Sequence, residues 1–270
     1  MPHTAQDPLD LGAMASRLAD LPDVVGVVLG GSRARGTHHP DSDVDLGIYY
    51  RGILDTERIE TLARTFGGPE TTASPLGGWG PWVDGGAWLT VDGVAVDWIY
   101  RDLDRVEEAV GRASAGEATL HRQLGHPFGF YDVAYAGELA LGRLLEDRVG
   151  SLAAARAPVV EYPTVLSSAL VANLGDADFL IGVAQKGARR GDTVYVAACL
   201  AEAVFVAAHA LHAAAGQWLI NEKGAIAAAG ALDTAPDGFA DDAAAALAAP
   251  GASPESLTAA IGAARRVIAR

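Results

Sequence analysis

Two aspartates one residue apart, Asp43 and Asp45, open an apolar run that ends at Tyr50. Side chains alternate across a strand, so both carboxylates point to the same face. Carboxylates held side by side repel each other unless a cation lies between them. With only oxygen ligands on offer, the natural occupant is a hard ion such as Mg²⁺. Just upstream, the apolar run 24–29 leads into Gly30-Gly31-Ser32-Arg33-Ala34-Arg35-Gly36. Glycines let the backbone approach a ligand closely, and successive N–H groups beside a helix start form an anion site. Ser32, with its own N–H and that of Gly31, would hold a phosphate there. Arg33 and Arg35 flank it with guanidinium forks suited to phosphate oxygens, and only one of the two is expected to face the ligand. A phosphate cradle therefore adjoins a two-carboxylate metal site.

The elements that must position these groups follow from periodicity. Residues 10–21 carry Leu11, Met14, Ala15, Leu18 and Leu21 at helical spacing, and Pro22-Asp23 hands over to the first strand. A polar helix is expected over 55–66. Residues 67–84 are dense in Gly, Pro and Trp without a period, which predicts a long loop. Trp79 and Trp82 there either stack on a base or sugar or cover the edge of the sheet. Residues 87–91 and 94–100 read as a hairpin around Asp92-Gly93, a pair that tolerates the positive φ of a tight reversal. That hairpin carries Asp97 on a strand able to lie beside Asp43 and Asp45. A helix begins in 101–111, and 131–135 reads as one more short strand.

From Gly137 onward the composition turns to alanine and leucine, and helices are expected near 138–155, 164–187, 192–215, 222–231, 238–249 and 254–269. Glu202, Phe205, His209 and His212 share one stripe of the 192–215 helix, at spacings of three, four and three. An exposed helix face explains Glu202 as well as a role in chemistry does. Lys223 is one of only two lysines in the chain, and by position alone it is a surface lysine at a helix start.

Composition bounds the function. Fifty per cent of the 270 residues are apolar, ample for a packed core. The net charge is −14, of which residues 1–150 carry −11 and residues 151–270 carry −3. Such a surface repels DNA and RNA and attracts polycations, so no nucleic-acid partner is expected. The one cysteine, Cys199, fits a reducing compartment and a small buried side chain. The first ten residues are polar and lack the apolar core of a leader. Glu202, His209 and His212 interrupt the longest apolar stretch, so no membrane span is expected and the location is expected to be cytoplasmic.

The Gly31-Ser32 pair, a spacer, and Asp43-Val44-Asp45 together resemble the signature of the DNA polymerase β-type nucleotidyltransferase superfamily. The fuller wording Gly31-Ser32-Arg33-Ala34-Arg35-Gly36 with Ser42-Asp43-Val44-Asp45-Leu46 is similar to its small-molecule branch, the aminoglycoside and lincosamide nucleotidyltransferases. The resemblance covers roughly residues 24 to 101. It implies an α+β fold: a nucleotidyltransferase domain, a mixed sheet flanked by helices, over 1–135, then an all-helical domain over 136–270. It implies a nucleotidyltransferase that moves a nucleoside monophosphate, AMP from ATP or the equivalent from another triphosphate, onto a hydroxyl of a small cationic acceptor. Two Mg²⁺ ions would be held by Asp43, Asp45 and Asp97, the last being the third carboxylate that members carry. Gly31, Ser32, Arg35 and Lys223 would bind the nucleotide, and Glu202 would serve as the base. A monomer or homodimer is expected. The alternative is an antitoxin-like regulatory module that AMPylates a partner protein; such modules usually lack a large helical domain.

Overall fold

The structure is a computed structural model, and it describes residues 9–39, 41–248 and 250–268. The first eight residues, on which most of the leader reading falls, lie outside the described residues. The fold is α+β, with a mixed sheet and flanking helices first and a largely helical part after it. By contacts the chain divides into two compact units. One comprises the residues up to Gly111, with Leu120–Gly125 and Phe130–Val160; the other comprises Arg112–Thr119, His126–Gly129 and the chain from Glu161 on.

The first unit is built on a five-stranded sheet. Its strands are β1 (Val24–Leu29), β2 (Val44–Tyr50), β3 (Gly86–Val91), β4 (Val94–Asp102) and β7 (Arg143–Glu146), in the order β3-β4-β2-β1-β7. Only β2 and β4 run parallel; the other pairs are antiparallel. Helix α1 (Leu11–Ala19) starts where Asp10 Oδ1 accepts from the Ala13 N–H at 2.9 Å, and α3 (Thr56–Gly67) starts on the same device at Asp55. These helices close one face of the sheet. There Met14 and Leu18 of α1 and Ile59 of α3 pack with Leu46, Ile48, Val96, Trp98 and Tyr100 in a single buried cluster. The β3–β4 reversal has positive φ at both Asp92 and Gly93, as its sequence predicts.

The second face is covered by α4 (Leu103–Ala115), α5 (Ala134–Leu141) and α6 (Ser151–Arg156), whose Leu103, Val106, Leu139 and Leu152 pack with Val28 and Tyr49. Strands β5 (Leu120–Gln123) and β6 (His126–Tyr131) form a two-stranded sheet of their own.

Two local expectations change here. The strand near 131–135 lies earlier, as β6, and the single helix over 138–155 is α5, β7 and α6 in succession. Gly142 stops α5 in an extended conformation, and a Cβ there would collide with Val28 Cγ1 of β1. The chain then runs along the free edge of β1 as β7, pairing Leu29 with Arg143 and Val28 with Leu144. That partner is more than a hundred residues away in sequence, so no local pattern announces it.

The second unit includes α7 (Thr164–Ala172), α8 (Leu174–Ala188), α9 (Thr193–Ala214), α10 (Ala225–Gly230), α11 (Phe239–Leu247) and α12 (Pro254–Ile268). The expected helix 164–187 is thus two, broken at Asn173. By length and composition 164–188 and 193–214 are apolar enough to cross a membrane. α9 behaves as a core helix, with 61% of its most apolar window buried, whereas α7 and α8 are each shorter than the roughly 20 residues a span needs.

α9 also carries a buried titratable pair. His209 packs edge-on to Phe205 at 4.7 Å, and burial, helped by the nearby His212, pushes its pKa down to about 3. The unfolded chain takes up a proton near 6.5 that the folded chain refuses. The stability this group supports is therefore complete above about pH 6.5 and falls as the pH drops toward 3. Urea unfolding should show a loss of about 2 kcal/mol between pH 7 and pH 5 from this histidine, and His209→Gln should flatten that slope. An unchanged slope in the variant would contradict the assignment.

Candidate active site

Parallel pairing of β2 with β4 sets the register Val44↔Val96, Asp45↔Asp97, Leu46↔Trp98. Since Val44, Leu46, Val96 and Trp98 are buried in the core under α1 and α3, Asp45 and Asp97 must share the opposite face. Asp45 is half-buried, and Asp43, just before β2, is exposed. Two of the three carboxylates expected from the sequence, Asp45 and Asp97, are thus in register on adjacent strands, and Asp43 comes just ahead of β2.

The glycine turn lies against the same spot. The Gly30 N–H donates to the Asp45 backbone carbonyl at 2.8 Å, tying the turn between β1 and α2 (Gly31–Arg35) to the start of β2. Gly31 has φ +61°, and a Cβ on it would land on Asp45 Oδ2 and 2.8 Å from Asp45 Cγ. Only glycine leaves room for the carboxylate at this position. Burial pushes the Asp45 pKa up; the charges of Asp43 and Glu138 push the same way, and Arg101 and Arg35 oppose them. The ionised form is therefore under electrostatic load, which a bound cation would relieve.

The two arginines of the turn differ. Arg33 donates from Nε and Nη2 to the Ser42 carbonyl at 3.1 and 2.8 Å, and from Nε to the Asp43 carbonyl at 3.2 Å, so it clips the spacer onto the turn. Arg35 is exposed and acts on the charge of Asp45. The Ser32 carbonyl accepts from the Thr37 N–H at 3.0 Å, and the Ser32 hydroxyl makes no hydrogen bond among the described residues.

Farther along the same face is a polar pair that the sequence reading missed. Arg101, opposite Tyr49 in the β2–β4 register, donates to Glu138 of α5 from Nε at 2.6 Å and from Nη2 at 2.8 Å. The Arg101 side chain is 7% exposed and that of Glu138 26%. Burial alone would pull the guanidinium down; the Glu138 carboxylate outweighs this and raises it. Tyr135 adds its ring, 5.3 Å from the guanidinium carbon. The sequence reading places Arg101 at the start of the helix over 101–111, whereas it belongs to β4, and nothing near it in sequence points to Glu138.

Trp79 stacks on Trp88 of β3 at 4.5 Å, and Trp82 stacks on His121 at 3.8 Å, so both loop rings have protein partners. In the second unit, Glu202 is on the exposed side of α9 while Phe205, His209 and His212 of the same stripe are buried. Lys223 is exposed before α10, its N–H held by Asn221 Oδ1 at 2.9 Å. Cys199 is buried, as its apolar neighbours suggest.

Among the described residues no three His, Cys, Asp or Glu side chains converge tightly enough to hold a metal alone. The donor set still suits Mg²⁺, which is commonly held by one or two carboxylates and completes its shell with phosphate oxygens and water.

Residues 13–68 match the family model of the nucleotidyltransferase domain. That span contains most of α1, the glycine turn, Asp43, Asp45 of β2, and α3; Asp97 lies beyond it. No curated protein matches the chain. Among solved structures, a nucleotidyltransferase-like protein from Exiguobacterium sibiricum 255-15 aligns over 94% of this chain and 71% of its own, at 12% identity and a TM-score of 0.46. The domain match, with the carboxylates on its strand, supports an enzyme of the nucleotidyltransferase class.

Proposed function

We propose that this chain transfers AMP from ATP to a hydroxyl of a small cationic acceptor of the aminoglycoside or lincosamide kind. The observation that carries the proposal is the in-register pair Asp45 and Asp97 beneath a glycine turn that leaves room for nothing larger at position 31. The small, cationic acceptor is supported by the net charge of −14 and by the size of the helical unit.

In this reading the acceptor oxygen forms a bond to the α-phosphorus, the bond from that phosphorus to the bridging oxygen breaks, and pyrophosphate leaves. Asp43, Asp45 and Asp97 would hold two Mg²⁺ ions, which when bound neutralise the charge developing on the attacking and leaving oxygens. Gly31 and Ser32 would anchor the triphosphate through N–H groups and the free hydroxyl, with Arg35 beside them. From the second unit we propose Glu202 as the base that accepts the hydroxyl proton and Lys223 as a further ligand of the triphosphate. Most of the acceleration would come from positioning rather than covalent chemistry.

Incubation with ATP, Mg²⁺ and a panel of aminoglycosides and lincosamides tests the proposal by mass spectrometry. One acceptor should gain the mass of one AMP while pyrophosphate appears. If AMP instead appears on a protein, or every acceptor is returned unchanged with ATP consumed, the small-molecule reading is wrong.

A further inference from the structure

The turn between α8 and α9 holds a cavity of about 400 Å³ lined by Val183, Lys186, Gly187, Arg190, Asp192 and Tyr195. The volume is within the range of small-molecule sites. Its chemistry runs against the rest of the chain. Lys186, Arg189 and Arg190 place three of the seven lysines and arginines of residues 161–270 within five positions, in a protein of net charge −14. Eight of the chain's twenty lysines and arginines, Arg51, Arg58, Arg64, Arg101, Arg105, Arg112, Arg148 and Arg266, pair with carboxylates. Among the described residues, by contrast, the side chains of Lys186 and Arg190 have neither an ion pair nor a hydrogen bond. Lys186 is in the last turn of α8 and Arg190 in the turn just after it, and both line the cavity.

The remaining walls are set for a flat apolar body. Tyr195 is 46% exposed, and its hydroxyl is beside Cys199. Its ring lies over Gly187, where a Cβ would come within 3.0 Å of Tyr195 Cδ1 and 3.1 Å of Val196 Cγ2. Glycine at 187 is thus what lets the ring lie down on α8, and Val183 extends the apolar surface. The one acid in the lining, Asp192, is turned to its own helix and accepts from the Tyr195 N–H at 3.1 Å, capping α9.

We propose that this cavity binds an aromatic anion, a planar ring carrying a phosphate or carboxylate, with the ring on Tyr195 and the charge between Lys186 and Arg190. The cavity belongs to the second unit and the carboxylate face of β2 and β4 to the first, and the proposal does not rest on the nucleotidyl-transfer reading.

Titration of the full chain with phenyl phosphate, followed by ¹H–¹⁵N spectra, tests it. Saturable shifts should appear at residues 183–196, with benzoate giving the same pattern if the site takes carboxylates too and neutral phenol giving none. Lys186→Gln combined with Arg190→Gln should weaken phenyl phosphate at least about tenfold, the loss of roughly one charge-assisted contact. Tyr195→Ala should weaken phenyl phosphate while leaving the response to inorganic phosphate in place. Asp45→Asn, which disables the proposed catalytic face, should leave the shifts unchanged. The proposal fails if no saturable shift occurs at these residues, if phenol binds as well as phenyl phosphate, if the double variant binds undiminished, or if Asp45→Asn abolishes the effect.

Discussion

Asp45→Asn should lower nucleotidyl transfer by at least about 10³-fold, equivalent to roughly 4 kcal/mol of barrier, without unfolding the protein. Two features make the expectation sharper than loss of activity alone. The side chain is nearly isosteric, and Gly31 beside it leaves the Asn amide the same space. The folded protein also binds a proton at Asp45 more tightly than the unfolded chain does. A carboxyl raised in this way supports the fold only below its ordinary value near 3.8, and that support is lost as the pH rises through the raised one. At neutral pH the ionised Asp45 therefore weakens the fold, and removing its charge should leave the melting temperature unchanged or higher. An active site held at the expense of stability gives this opposite pair of signs; a structural aspartate gives losses in both. Thermal melts and initial rates on the same preparation check it.

The largest expected loss of stability is at Glu138. Glu138→Gln keeps the shape of the side chain but leaves the buried Arg101 guanidinium without its countercharge. Removing one partner of a buried ion pair costs about 3–5 kcal/mol, because the remaining charge is desolvated and unpaired. The 26% exposure of Glu138 admits some water, which places the expected cost at the lower end of that range. Replacing both partners, with Arg101→Met and Glu138→Leu together, should recover much of the loss. Denaturant unfolding of the two single variants and the double variant measures the coupling directly. A Glu138→Gln protein within about 0.5 kcal/mol of the parent would mean that the pair is solvated rather than buried.

The two predictions are linked, because Arg101 lowers and Glu138 raises the Asp45 pKa across the same sheet face. The pair thus tunes the carboxylate from below while Asp43 acts from the strand end. Local sequence made the carboxylates legible: aspartates set into the apolar runs 44–50 and 94–100 or just ahead of them, and glycines where a turn must pass close to a side chain. Register made Asp97 fall beside Asp45, and the hairpin signal Asp92-Gly93 fixed the strand that carries it. Contacts between residues far apart in sequence were not legible. β7 fills the free edge of β1 from more than a hundred residues away, and a run of alanine and leucine around it reads as helix. Glu138 is hidden for the same reason, in α5, with no spacing rule that connects it to Arg101. The α9 stripe shows a further limit: helical spacing grouped Glu202 with Phe205, His209 and His212, yet the first is exposed and the others are interior. Spacing places side chains on one stripe, but which part of the stripe is covered depends on the length of the helices packed against it.

The most direct measurement is a calorimetric titration of the full chain with a non-hydrolysable ATP analogue, with and without Mg²⁺, repeated on Asp43→Asn. Asp43 is exposed, so its substitution should not disturb the fold. Saturable binding that requires Mg²⁺ and disappears in the variant is the predicted result. Binding that persists without Mg²⁺ and in Asp43→Asn, or no binding by the parent chain, would contradict the assignment of this carboxylate face to a metal-bound triphosphate.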